Sequence, residues 1–124
     1  MSTYREAVLA NRDDYPFDLW RERFDDGLAQ YSEENCARAR EIMDNLLEAL
    51  VAAGEDAETA AKEALFKTAV EAFNDLNEEL DYELIETGER EELWELFNDV
   101  TVSVGLNPED YADGEGIVSM WRDW

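Results

Sequence analysis

Apolar residues recur along this chain at intervals of three and four, the period of a helix with one buried face. Only two prolines and six glycines interrupt them. The pattern predicts a short helix over 4–10 and a turn at Asp13-Asp14-Tyr15. Pro16 then suits the first turn of a second helix that runs to about residue 30. A third helix is marked at both ends. Ser32 stands at its N-cap, Glu33 and Glu34 suit the positive end of its dipole, and Gly54 offers a left-handed terminator. Cys36, Ala39, Met43, Leu46, Leu47 and Leu50 make its apolar stripe, while Arg38, Glu41, Asp44 and Glu48 look outward.

A fourth helix is expected from a cap at Asp56 to about residue 80. Its core stripe reads Ala61, Leu65, Ala69, Ala72, Phe73, Leu76 and Leu80, and Lys67 sits one turn from both Glu63 and Glu71, placed to pair with either. Residues 81–86 are too acidic for a core element and read as a connector. Thr87 then caps a fifth helix over 87–104, with Leu93, Leu96, Phe97, Val100 and Val104 facing inward and Gly105 ending it. Residues 100–104 alternate like a strand, but five residues without a pairing partner do not make a sheet. Asn107-Pro108 restarts a helical turn, a glycine-broken acidic loop covers 110–116, and a short amphipathic piece ends at Trp124. No internal repeat or linker divides the chain. The fold class that follows is all-α, a compact single domain (1–124) of about five helices, with the third, fourth and fifth forming the core.

At 124 residues such a domain buries roughly two-thirds of its unfolded surface and needs no staples. The single cysteine, Cys36, lies on an apolar stripe and reads as a small buried hydrophobe in a reducing compartment. The opening residues run into mixed polarity without a basic and then apolar leader. No apolar run approaches the ~20 residues that span a bilayer, so the expected location is cytoplasmic, with no membrane contact.

Charge changes the picture most. There are 33 acids and 10 bases, for a net charge of −23, and no histidine. Residues 1–62 carry 15 acids and 7 bases, net −8; residues 63–124 carry 18 acids and 3 bases, net −15. Between Glu71 and Glu95 there are 11 acids and one base, Arg90. Such crowding costs folding stability through self-repulsion, and it repels nucleic acid and anionic membranes. One reading is a merely solubilising surface. The other is that a cationic protein docks there and relieves the repulsion, with acids steering the encounter and aromatics supplying anchors.

The residues expected to meet such a partner are Glu78, Glu79, Asp81, Tyr82, Glu83, Glu86, Glu91, Glu92, Trp94, Glu95, Tyr111, Asp113 and Glu115. Tyr82, Trp94 and Tyr111 are included because an aromatic rimmed by acids grips Arg and Lys side chains. The other aromatics read differently: Trp20, Phe24, Phe73 and Phe97 as core, Trp121 and Trp124 as a plug that ties down the terminus.

Catalytic chemistry finds little to build on. Without histidine, a serine or cysteine nucleophile has only Lys62, Lys67 or carboxylates as a base. A di-iron bundle lacks its Glu-x-x-His pairs, and zinc lacks soft ligands. Residues 110–116 miss the acid spacing of a hand-type calcium loop, and no glycine-rich phosphate loop is present. The expectation is a protein that is not an enzyme and carries no cofactor.

Phe73-Asn74-Asp75-Leu76, Glu78-Glu79, Ile85-Glu86-Thr87, Arg90-Glu91 and the terminal Arg122-Asp123-Trp124 resemble a family of small uncharacterised bacterial proteins, a domain of unknown function. The likeness covers roughly residues 65–124, and the 110–116 loop departs from it. The resemblance implies a bacterial or phage origin, a small helical fold and no catalytic residues to transfer; Arg90 is expected to pair inward with a carboxylate. Three functions follow as expectations. The first is an immunity-type inhibitor that masks a basic site on a toxin such as a nuclease. The second is a nucleic-acid mimic that blocks a restriction or anti-phage enzyme. The third is a structural or oligomeric domain, a homodimer included, with a solubilising surface.

Overall fold

The computed structural model describes residues 3–124. Five α-helices follow one another: α1 (Tyr4–Leu9), α2 (Phe17–Asp25), α3 (Glu33–Ala53), α4 (Thr59–Glu79) and α5 (Thr87–Ser103). Short 3-10 turns fill the connections and the tail, and no strand occurs among the described residues. The strand-like stretch over 100–104 is the last turn of α5 and its cap.

The α3 boundaries fall where caps and breakers put them. The Ser32 hydroxyl accepts the Asn35 N–H, and Gly54 leaves the helix at φ +90°. Cys36 is buried on the expected stripe, and burial pushes its thiol pKa up, which keeps it neutral. α3 and α4 pack antiparallel: Arg38 near the start of α3 pairs with Glu79 at the end of α4. Phe97 of α5 packs against Phe66 and Phe73 of α4, at 6.4 and 6.0 Å between ring centroids. On the other side, Phe17, Trp20 and Tyr31 form a second aromatic group, with Trp20 5.1 Å from Phe17 and 5.9 Å from Tyr31.

Several elements differ from expectation. α2 stops at Asp25, because Gly27 takes φ +97° and the Leu28 N–H bonds back to the Arg23 carbonyl, a Schellman end. Phe24, expected in the core, is 40% exposed, with the Arg21 guanidinium 5.0 Å from its ring centre. α4 starts at Thr59 with Glu58 as its cap position, and its buried face is rotated from the expected stripe. Phe66, Val70 and Lys62 are buried, Ala61 is exposed, and Leu65, Ala72 and Leu80 are half-buried. Two apolar stripes run side by side on this helix, and the one with the larger side chains takes the core. Lys67 makes no ion pair within 4 Å among the described residues. Arg90 likewise makes none, and its Nε is buried without a hydrogen-bond partner. Glu86, not Thr87, sits at the α5 N-cap, where the Glu89 carboxylate accepts the Glu86 N–H at 3.1 Å.

The connector over 80–86 is held from beneath. Asn77 Oδ1 accepts the Ile85 N–H at 2.9 Å, and the Tyr31 hydroxyl donates to the Leu84 carbonyl at 3.0 Å. Asp81 and Tyr82 both take left-handed φ, +58° and +62°, because the Schellman end of α4 falls where the sequence has no glycine. Such a conformation costs on the order of 1–2 kcal/mol for a residue with a Cβ. The tail is tied down as expected. Asn74 donates to the Trp121 carbonyl and accepts the Asp123 N–H, while Ile117 and Val118 are fully buried.

Lys62 closes the bundle at the other end. It is 6% exposed, and its Nζ donates to the carbonyls of Glu55 at 2.8 Å and Val104 at 2.9 Å, with the Tyr4 ring centre 5.5 Å away. It thus joins the α3–α4 loop to the last turn of α5. Replacing Lys62 with Met leaves both carbonyls without their donor and lowers the unfolding free energy by about 1–3 kcal/mol. Urea denaturation followed by circular dichroism measures this, and an unchanged midpoint contradicts it.

Candidate functional site

All but four of the 33 acids are exposed; Asp44, Glu63 and Glu92 are half-buried and Glu89 is buried. Most of the bases pair with groups of the chain itself. Arg12 pairs with Asp44 and Glu48, Arg23 with Glu89 and Glu92, Arg38 with Glu79, and Arg40 with Asp18. Lys62 is buried on carbonyls, Arg21 donates to the Tyr31 carbonyl and Arg122 to the Trp124 carbonyl. Seven of the ten bases thus bond to other parts of the fold, while Arg5, Lys67 and Arg90 show no side-chain hydrogen bond or ion pair among the described residues, and most of the negative charge stays unpaired.

Arg23 makes the densest of these contacts. Its guanidinium forks onto the Glu92 carboxylate at 2.8 and 2.9 Å and also reaches Glu89. Trp20 Nε1 donates to the same Glu92 oxygen at 3.0 Å. Hydrogen bonding to Glu92 is the main reason that the Arg23 pKa is raised. The network clips α2 onto the buried side of α5 and takes Glu92 out of the set available to a partner.

The outer side of α5, next to Glu92, has no such basic partner. Glu91, Glu95 and Asp99 recur every fourth residue on one line, all three exposed and none in an ion pair. Like charges one turn apart destabilise a helix by roughly 0.2–0.5 kcal/mol per pair. Val102, 62% exposed, extends the line by one turn. To one side lies Trp94, 42% exposed, whose Nε1 donates to the Glu115 carbonyl. Gly116 permits this contact, because a Cβ there would stand 2.7 Å from Asn98 Oδ1 and 3.0 Å from Trp94 Nε1. On the other side, Asp14 and Leu19 join Glu95, Asp99 and the Arg23-paired Glu92 around a groove of about 310 Å³ that also touches Tyr15, Pro16 and Leu96. Burial, then Asp14, then Glu95 raises the Asp99 pKa above its ordinary value.

The sequence-predicted residues thus divide. Glu91, Trp94, Glu95, Asp113 and Glu115 belong to the α5 face and the loop beside it. Glu78, Asp81, Tyr82, Glu83 and Glu86 lie at the N-terminal end of α5, all exposed, with Tyr82 at 57%. Three are corrected. Glu92 is paired with Arg23 in a half-buried contact and Glu79 with Arg38 at the surface, because the folded chain brings bases of the first half against acids of the second. Tyr111 is 7% exposed, and burial, followed by the Glu63 carboxylate, pushes its pKa up to about 12. Sequence reasoning missed Asp14, Leu19, Asp99 and Val102. The four-residue ladder from Glu91 could have found Asp99; Asp14 and Leu19 arrive only through tertiary packing.

No group of three or more Cys, Asp or Glu side chains among the described residues is placed to hold a metal ion, and no described helix is long and apolar enough to cross a membrane. Comparison with family models, with curated proteins and with solved structures finds no match to the chain.

A carboxyl whose pKa is raised by folding binds its proton more readily in the folded state. Ionised Asp99 therefore costs stability at neutral pH, and the cost disappears as the pH falls through the raised value toward the ordinary 3.8. Asp99→Asn is expected to stabilise the protein at pH 7 by a few tenths of a kcal/mol, small because solvent screens the site. Denaturation midpoints of both proteins at neutral and acidic pH check this: the gain shrinks in acid, and a gain independent of pH refutes the assignment.

Proposed function

We propose that this chain is a non-catalytic binding protein that neutralises a cationic protein partner through the outer face of α5, in the manner of an immunity protein covering the basic cleft of a toxin such as a nuclease. One observation carries the reading. The fold pairs Arg12, Arg23, Arg38 and Arg40 with its own carboxylates and Lys62 with its own carbonyls, yet leaves Glu91, Glu95 and Asp99 stacked and unpaired beside exposed Trp94, Leu19 and Val102. Acids then set encounter rate and register, and the apolar and aromatic side chains supply buried contact. An inhibitor of a restriction or anti-phage enzyme that mimics nucleic acid uses the same face and differs in which basic protein it binds.

One observation favours a second reading. Exposed acids also cover the outer sides of α2 and α3, among them Glu22, Asp25, Glu33, Glu34, Glu41 and Glu48. A surface that only solubilises the domain looks like this everywhere.

Charge reversal separates the two readings. Glu91→Lys, Glu95→Lys and Asp99→Lys together remove the α5 ladder; Glu33→Lys, Glu34→Lys and Glu48→Lys make the same charge change on α3. With the unaltered protein immobilised in a bacterial lysate at low salt, a basic nuclease or nucleic-acid-processing protein is retained and elutes at high salt. The α5 variant loses it, and the α3 variant keeps most of it. Equal loss in both variants, or retention of no basic protein, contradicts the reading. Circular dichroism of both variants verifies that the fold is intact.

A further inference from the structure

α4 carries two apolar stripes, and only one is used by the core. The other faces a groove along the α3–α4 seam, lined by Ile42, Asn45 and Ala49 from α3 and by Leu65, Thr68 and Ala72 from α4. This section has a volume of about 250 Å³. A second section of about 280 Å³ continues it past Ile42, Asn45 and Ala72 to Arg38, Glu41, Asp75 and Glu79. From Ala49 to Arg38 the groove follows about three turns of α3, roughly 16 Å at the helical rise.

Its chemistry differs from that of the α5 face. The floor is apolar or uncharged, with half-buried Ile42, Leu65 and Ala72, and its small residues let another backbone come close. The second section is rimmed by the exposed carboxylates of Glu41, Asp75 and Glu79. The one base on that rim, Arg38, is paired with Glu79. A second copy of the chain would set these carboxylates against their own kind in a pair of molecules that are each at −23. A helix with one apolar face flanked by lysine or arginine meets both the floor and the rim.

We propose that the α3–α4 groove is a docking site for a basic amphipathic helix of another protein, about three turns long, with its apolar stripe between Ile42 and Leu65 and its cationic flanks on Glu41 and Asp75. The site is separate from the α5 face and stands whether or not that face binds a partner.

The probe is a synthetic peptide of about 14 residues, long enough for four helical turns, built from leucine and lysine with one apolar face. A scrambled isomer of equal charge and composition is the control. Calorimetry gives affinity and stoichiometry, and methyl NMR gives location. The ordered peptide binds one to one, about tenfold tighter than its isomer, and shifts the Ile42 and Leu65 methyls; Ala72→Gln, which plugs the groove without adding charge, weakens it by about tenfold. Should Ala72→Gln fail to fold, Thr68→Gln at an exposed lining position replaces it, with the same weakening expected. Equal affinity for both peptides, shifts confined to α5, or a free chain that sediments as a dimer and monomerises on plugging the groove each overturns the proposal.

Discussion

Ten bases must serve a chain of 33 acids, and where the fold puts them governs the whole surface. Four arginines each join two different elements: Arg12 reaches α3, Arg23 reaches α5, Arg38 reaches α4 and Arg40 reaches α2. Lys62 ties the α3–α4 loop to the end of α5. Exposed pairs of this kind are individually worth roughly 0–1 kcal/mol, so the apolar core, not the ion pairs, supplies the stability. What the pairs achieve is orientation. They align helices whose outer faces repel one another, and in doing so they remove positive charge from the solvent side.

The shape of α5 follows from that arrangement. Its inner side combines Leu93, Leu96, Phe97 and Val100 with Glu89, which is buried because Arg23 stands opposite it. Nothing comparable covers the outer side. The two segments that flank it share an unusual backbone: Asp81 and Tyr82 at one end, Ala112 and Asp113 beside Trp94, are consecutive left-handed residues that are not glycine. Both segments also carry acids, and the first carries the most exposed aromatic ring, Tyr82.

Much of the fold was legible in the sequence, and the errors have physical causes. α3 was readable to the residue because Ser32 and Gly54 act locally. The end of α2 was misplaced although Gly27 marks it, because the apolar spacing of Trp20 and Phe24 runs on through Leu28 and Tyr31. The face of α4 was rotated because Leu65 and Ala72 make as good a stripe as Phe66, Val70 and Phe73; only the volume available between α3 and α5 decides. Charge was legible in amount and in its bias to the second half, but not in its pairing. Glu79 and Glu92 look as free in the sequence as Glu91 and Glu95, and the arginines that claim them lie 41 and 69 residues away. The outer face of α5 was therefore half readable: its own residues show the ladder, and its neighbours Asp14 and Leu19 are placed by the fold alone.

The central claim is that negative charge is concentrated for binding on the outer face of α5 rather than merely spread for solubility. Amide NMR of the labelled protein, titrated with hexa-arginine at low salt, tests this most directly. The account predicts saturable shifts centred on Glu91, Trp94, Glu95 and Asp99, extending to Asp14 and Leu19, and lost when Glu91, Glu95 and Asp99 are reversed to lysine. Small, unsaturated shifts of equal size at the exposed acids of α2, α3 and α5 would contradict it.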